Sequence, residues 1–297
     1  VFIALIVDLA QFKRRDRALT MRAATRRSLL WVALSLAFNI LVARLKGSEA
    51  GLDFLAGYVI EYSLSVDNIF VFVLIFAYFR VPPRAQHRAL VWGIVGALIM
   101  RGVMILLGVT LVERFHFVLY LFGVFLVISA IRMFLGTTQE KDFGNSLVMR
   151  LAKKWIRVTP QFYGEHFKAR VEGRWMLTPL ALALIVIDVM DLVFAVDSIP
   201  AVFAITTDRF IVYTSNVCAI LGLRSLYFLL ANLIHRFIYL KTGLAIVLGF
   251  VGIKMIVADY FPLPTGFSLA IILLVLAITI IVSMVATKKR ATTENSK

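Results

Sequence analysis

Cysteine is almost missing from this chain: 297 residues contain one, Cys218, inside an apolar run. An intrachain disulfide is therefore excluded, as are the metal motifs built on paired cysteines, and Cys218 reads as a small packing residue. Histidine is nearly as scarce. His87, His116, His166 and His235 all sit at or beyond the ends of apolar runs, so no imidazole is available inside one. Charged residues make up 16% against 61% hydrophobic, too little polar surface to enclose water-soluble domains of this length. Acids are the rarer sign, 17 Asp and Glu against 32 Lys and Arg, for a net charge of +15. The basic residues lie between apolar runs and form no stripe on one face, which argues against nucleic acid as a partner.

What is present is a series of apolar runs, roughly Ser28–Ala43, Leu52–Phe79, Ala89–Val112, Phe115–Leu135, Leu177–Ile205, Phe210–Leu233, Thr242–Phe261 and Gly266–Ala286. Most are long enough to cross a bilayer. Val1 to Phe12 is too short to span alone and carries no cleavage site for a signal peptide, so it reads as the end of a first helix begun by earlier residues. The expected fold class is all-α: a polytopic helical membrane protein of about nine transmembrane spans. With the amino end outside, the loops assigned to the cytoplasm carry 24 Lys and Arg, from Lys13 to Lys297, and the opposite loops only Arg44, Lys46, Arg114 and Arg209. That alternation predicts a carboxyl end in the cytoplasm. The one long connection, 136–176, contains Leu147, Val148, Leu151, Ala152, Trp155 and Ile156 at helical spacing with Arg150, Lys153, Lys154 and Arg157 opposite, the pattern of a basic helix lying on the cytoplasmic membrane surface.

Acids inside these runs are the informative exceptions. Asp188, Asp191 and Asp197 share one run with Pro200, and each costs about 2.5–3.5 kcal/mol to insert at the centre of a membrane helix unless it faces a cavity, partner or ion. An earlier run carries the same signature: Glu61, Asp67, Asn68 and Ile69 match Asp191, Asp197, Ser198 and Ile199 at a constant offset of 130. The two spans are three helices apart and cross in opposite directions, so the repeat is inverted, a three-plus-three arrangement. Weaker echoes set Arg101 against Arg224 and Ile131-Arg132-Met133 against Ile253-Lys254-Met255. The units are 52–135 and 177–261, with 136–176 as the cytoplasmic loop and 262–297 as a last span with a basic tail.

Positions six apart differ by about 240° of rotation on a regular helix, so Glu61 and Asp67, or Asp191 and Asp197, do not share a face. Either a local distortion gathers them, with Pro200 loosening the helix beside Asp197 and freeing a carbonyl, or each helix shows its acids to different neighbours. The candidate cation ligands are Glu61, Asp67, Asn68, Asp188, Asp191, Asp197 and Ser198, an all-oxygen set that suits manganese, magnesium or calcium over zinc or copper. Arg101 and Arg224 are candidates for charge pairing. Two arginines do not balance five carboxylates, so the excess calls for bound protons or a bound cation.

The Glu61–Asn68 motif resembles that of the TerC/Alx family of bacterial integral membrane proteins, as do Phe194-Ala195-Val196-Asp197-Ser198-Ile199-Pro200-Ala201, Leu221-Gly222-Leu223-Arg224 and Gly252-Ile253-Lys254-Met255. The family is associated with tellurium resistance and is similar in design to LysE-type exporters. The resemblance implies a multi-pass protein of the bacterial inner membrane that exports Mn2+ as cargo, with no resident cofactor, and that serves manganese and pH homeostasis. Glu61, Asp67, Asp191 and Asp197 take the ion-binding role by that resemblance. Asp188 departs from the pattern, which has Glu more often. Exchange of the ion for protons is expected from the carboxylate excess. Some relatives are linked to metal loading of secreted proteins, which keeps a membrane or secreted partner, or an assembly role, as the alternative. An intramembrane aspartate-dependent enzyme is the lesser alternative, because no Gly precedes Asp67, Asp191 or Asp197. The expectation is a transporter and not an enzyme.

Overall fold

The structure, a computed structural model, describes residues 21–115, 117–135, 158–171, 173–230, 239–261 and 263–294, with side chains for all of these but Met21, Asp67, Phe70, Arg224, Leu230 and 288–294. Among these residues eight helices follow in order: α1 (Met21–Lys46), α2 (Ser48–Phe79), α3 (Pro83–Arg114), α4 (Val118–Phe134), α5 (Pro179–Phe203), α6 (Arg209–Leu230), α7 (Leu240–Val257) and α8 (Thr265–Glu294). The partial span expected at Val1–Phe12 and the basic surface helix expected at 147–157 lie outside the described residues.

Local chemistry sets the helix ends. Gly47, at φ +100°, makes the one-residue break between α1 and α2, a conformation that a side chain disfavours. The Pro82-Pro83 pair starts α3, Pro83 at a position where a missing N–H costs nothing. Thr178 caps α5 by accepting from the Ala181 N–H at 3.4 Å, with Pro179 following it. Helix α5 runs through Pro200 to Phe203 without a break. Among the described residues, six helices are long and apolar enough to cross a membrane, and α4 and the Arg209–Leu223 part of α6 are shorter apolar helices. The molecule is a multi-pass helical membrane protein.

One element differs from expectation. The end of the long connection is a two-stranded antiparallel hairpin, β1 (Lys168–Val171) with β2 (Arg174–Leu177), turned at Gly173 with φ +77°. Leu177, read from hydropathy as the first residue of a span, belongs to β2 opposite Lys168, and the helix starts only after the Thr178-Pro179 cap. Hydropathy does not distinguish a strand residue from a helix residue one step before a cap.

Helices α4 and α7 form the most extensive pair, α2 packs on α6 and α5, and α3 packs on α5 and α6. Exchanging α2 with α5, α3 with α6 and α4 with α7 maps each of these pairings onto another or onto itself. The smaller α4–α5 and α2–α7 contacts map onto each other in the same way. Of the four hydrophobic clusters among the described residues, the two largest divide the bundle. In α3 the change of cluster falls between Leu90 and Ile105, and in α5 between Ile187 and Ala195. Arg101 and Asp191 lie in those gaps.

Candidate functional site

A guanidinium in the middle of a membrane helix has to find its counter-charges within the protein. Arg101 of α3, 1% exposed, finds them on both neighbouring helices. It binds Asp191 of α5 through two parallel bonds, Nε to Oδ2 and Nη2 to Oδ1, each 3.0 Å. Its Nη1 donates to Glu61 Oε2 of α2 at 2.6 Å and lies 3.5 Å from Ser198 Oγ. The planar fork explains why arginine suits this place, since a lysine ammonium cannot present two parallel donors to one carboxylate. With all three groups ionised, the cluster carries one excess negative charge.

The remaining oxygens are not all satisfied. Glu61 Oε1 is buried without a hydrogen-bond partner, and so are Asp188 Oδ1, Ser65 Oγ and Asn216 Nδ2. Asp188 lies one turn before Asp191 on α5, its carboxyl fitted against glycines of α3. A Cβ on Gly96 would come within 2.8 Å of Asp188 Oδ2, and one on Gly93 within 3.6 Å of Oδ1. Orphaned buried oxygens of this kind require a proton, a water or an ion. Asp191 also borders a cavity of about 20 Å³ between α2, α3, α5 and α6, lined otherwise by apolar residues including Phe72, Leu90, Gly93 and Leu223. That space suits about one water molecule.

The structure brings Glu61, Asp191, Ser198 and Arg101 together and leaves Asp197 elsewhere, where it accepts a bond of 2.9 Å from Ser129 Oγ of α4. Helix α5 thus shows Asp191 and Asp197 to different neighbours. Asn68 is buried on α2. The side chains of Asp67 and Arg224 lie outside the described ones. Among the described residues, no three His, Cys, Asp or Glu side chains converge closely enough to hold a metal ion. Sequence reasoning missed Ser129, the Gly93 and Gly96 pair, and Asn216. Of these only Asn216 leaves a signal, as the end of Tyr213-Thr214-Ser215-Asn216, a polar stretch inside an apolar run.

A helical multi-pass membrane protein with a buried Arg–carboxylate cluster at the level where its two largest hydrophobic clusters meet is the class that fold and site define. The model of the integral membrane protein TerC family matches residues 46–291, and the chain belongs to that family. An uncharacterized membrane protein of Myxococcus xanthus is 46% identical to it over 99% of this chain and 92% of the relative. Alx of Escherichia coli (strain K12), provisionally named a membrane-bound redox modulator, is 44% identical over 95% of this chain and 91% of its own. The Photorhabdus laumondii protein with the same designation is 41% identical, covering 98% of this chain and 94% of the relative. No solved structure matches.

Proposed function

We propose that this protein is a secondary transporter that exports a hard divalent cation, most simply Mn2+, from the cytoplasm across the bacterial inner membrane in exchange for protons. The observation that carries the reading is the Arg101 cluster: three charged groups, nearly inaccessible to solvent, with excess negative charge and orphaned oxygens on Glu61 and Asp188. Buried charge of this kind is costly in a membrane and marks ion pathways and proton relays. The donors are carboxylates, a hydroxyl and amides, which favour Mn2+, Mg2+ or Ca2+ over thiophilic metals.

Arg101 occupies both oxygens of Asp191 and one of Glu61, so a cation enters only when the guanidinium releases at least one carboxylate. Loading thus requires a second arrangement of α3 against α2 and α5, as alternating access does. In the arrangement seen, Arg101 serves as an internal counter-ion. Glu61 Oε1 and Asp188 Oδ1 are the positions for the exchanged protons. The exchange-related packing of α2–α4 and α5–α7 supports a shared midplane site. The excess of Lys and Arg in alternate loops supports an amino end outside and a carboxyl end in the cytoplasm.

The redox designation of the Alx relatives has no direct thiol mechanism within this chain, because a single cysteine offers no dithiol pair. A redox effect would follow from the metal moved. None of the relatives' names is an enzyme name. Purified protein in liposomes tests the reading: Mn2+ uptake is expected to exceed Zn2+ and Cu+ uptake at matched free concentrations, with protons counter-moving. Equal copper transport, or metal flux indifferent to an imposed pH gradient, contradicts it.

A further inference from the structure

The β1–β2 hairpin has two unlike faces. The register pairs Lys168 with Leu177 and Arg170 with Trp175, so these four side chains share one face. Lys168, Arg170 and Trp175 are exposed, Trp175 to 72%, and Leu177 is half-buried. The other face holds Ala169, which is buried, with Val171 and Met176 half-buried. An exposed indole beside two cations is costly to present to bulk water and well suited to the layer between water and hydrocarbon.

The hairpin is tied to the start of α5. Leu177 is followed at once by the cap of α5, whose first residues Leu180, Ala181, Leu182 and Ala183 are all buried and apolar. The Thr178 N–H donates to the Phe167 carbonyl at 3.0 Å and its hydroxyl to the His166 carbonyl at 2.7 Å. The Thr159 N–H donates to the Leu177 carbonyl at 2.8 Å. Arg88 of α3 stacks over the Phe167 ring at 5.3 Å, so the hairpin shares its end of the bundle with the α2–α3 turn and that turn's exposed Arg80 and Arg84. A groove of about 550 Å³ runs beside Lys168, Trp175, Met176 and Leu177. Among the described residues of this rim, Arg80, Arg84, Arg88, Lys168, Arg170 and Arg174 outnumber the acid Glu165.

We propose that the Lys168/Arg170/Trp175/Leu177 face of the hairpin is a binding surface for anionic lipid headgroups of the surrounding membrane, with the indole at the glycerol level and the cations on phosphate. Each Lys or Arg near an anionic surface favours such contact, and Trp anchors the depth. Because the hairpin is bonded to the start of α5, the lipid contact sets the position of the helix that carries Asp188 and Asp191.

The test uses the full chain in vesicles and compares it with Trp175→Phe, so that the difference in fluorescence reports Trp175 alone. Trp175 is expected to be quenched by brominated phosphatidylglycerol more than by brominated phosphatidylcholine. Lys168→Gln/Arg170→Gln, with unchanged helical circular dichroism, is expected to lose that excess. Equal quenching by the two lipids overturns the proposal. So does quenching by aqueous acrylamide with none by either lipid, and so does protection from lipid and acrylamide alike, which would put a protein segment over the face.

Discussion

Arg101 joins two carboxylates that lie 130 positions apart, and the three charges are interdependent in a way that single substitutions expose. Arg101→Gln leaves two buried carboxylates without a partner and is expected to destabilise the folded protein by about 3–5 kcal/mol unless protons replace the guanidinium. Glu61→Gln or Asp191→Asn alone removes the excess negative charge while Arg101 keeps one counter-ion, so each costs less. The loss is on the scale of one charge-assisted hydrogen bond, about 1.5–3 kcal/mol. Glu61→Gln/Asp191→Asn together strand the arginine and are expected to cost more than the sum of the two. Thermal unfolding in detergent across this double-mutant cycle checks the coupling, and additivity would mean that the cluster does not act as a unit. Only part of this residue chemistry is legible in the sequence. Glu61 and Asp191 announce themselves as acids at matching places in two apolar runs. That Arg101 reaches both, while Asp197 turns to Ser129, depends on which helix lies beside which, and spacing along one helix gives rotation without naming the neighbour.

Helix packing rests on small residues where backbones approach. Where α4 and α7 cross, a Cβ on Gly252 would come within 2.8 Å of the Gly123 carbonyl oxygen, and one on Gly123 within 3.0 Å of the Gly252 carbonyl. Backbone cannot rotate away as a side chain can, so Gly252→Ala is expected to destabilise by about 1–3 kcal/mol. Gly222→Ala is the control, its nearest neighbour being Tyr62 Cε2 at an ordinary 3.4 Å. Detergent melting should separate the two variants, and equal melting would remove the close crossing as a determinant. At the other rim, the turn between α5 and α6 is tied down by consecutive residues. Asp208 accepts from Lys46 Nζ of α1 at 2.5 Å, and Arg209 pairs with Glu113 of α3. Burial raises the pKa of Asp208, but the Lys46 ammonium and the N–H groups of Ile211 and Phe210 outweigh it and hold the carboxyl below its ordinary value. A carboxylate depressed in the folded state stabilises above its unfolded pKa and loses that contribution as pH falls through the folded value. The tie is therefore complete at neutral pH and released only in acid. Being more than a third exposed, it is worth under about 1 kcal/mol and weakens with salt. Asp208→Asn should lower the melting temperature slightly at pH 7 and not at all at a pH well below the carboxylate range. A pH-independent effect would show that the charge is not what matters. Helix existence at this scale is legible from hydropathy, whereas the β1–β2 hairpin is not, because its strands are four residues each and its signal is confined to Gly173.

For the whole molecule, the main pairings among α2–α7 map onto one another when α2–α4 and α5–α7 are exchanged, and the buried charge lies where the two sets meet. The offset of 130 between the Glu61 and Asp191 motifs points to the exchange of α2 with α5 that the helix pairings follow. The pairing of Arg101 at the centre is not legible in the sequence, since an apolar run with acids reads alike whether its carboxylates hold an arginine or an ion. If Arg101 alternates with a cation, proton movement and metal movement must share Asp191. The most direct measurement is Mn2+-driven proton flux in liposomes containing purified protein, normalised to folded protein, for wild type and Asp191→Asn. Wild-type vesicles are expected to move protons against Mn2+ and the variant to move neither above protein-free vesicles. Wild-type vesicles no more active than empty ones, or an Asp191→Asn variant that exchanges as the wild type does, would contradict the account.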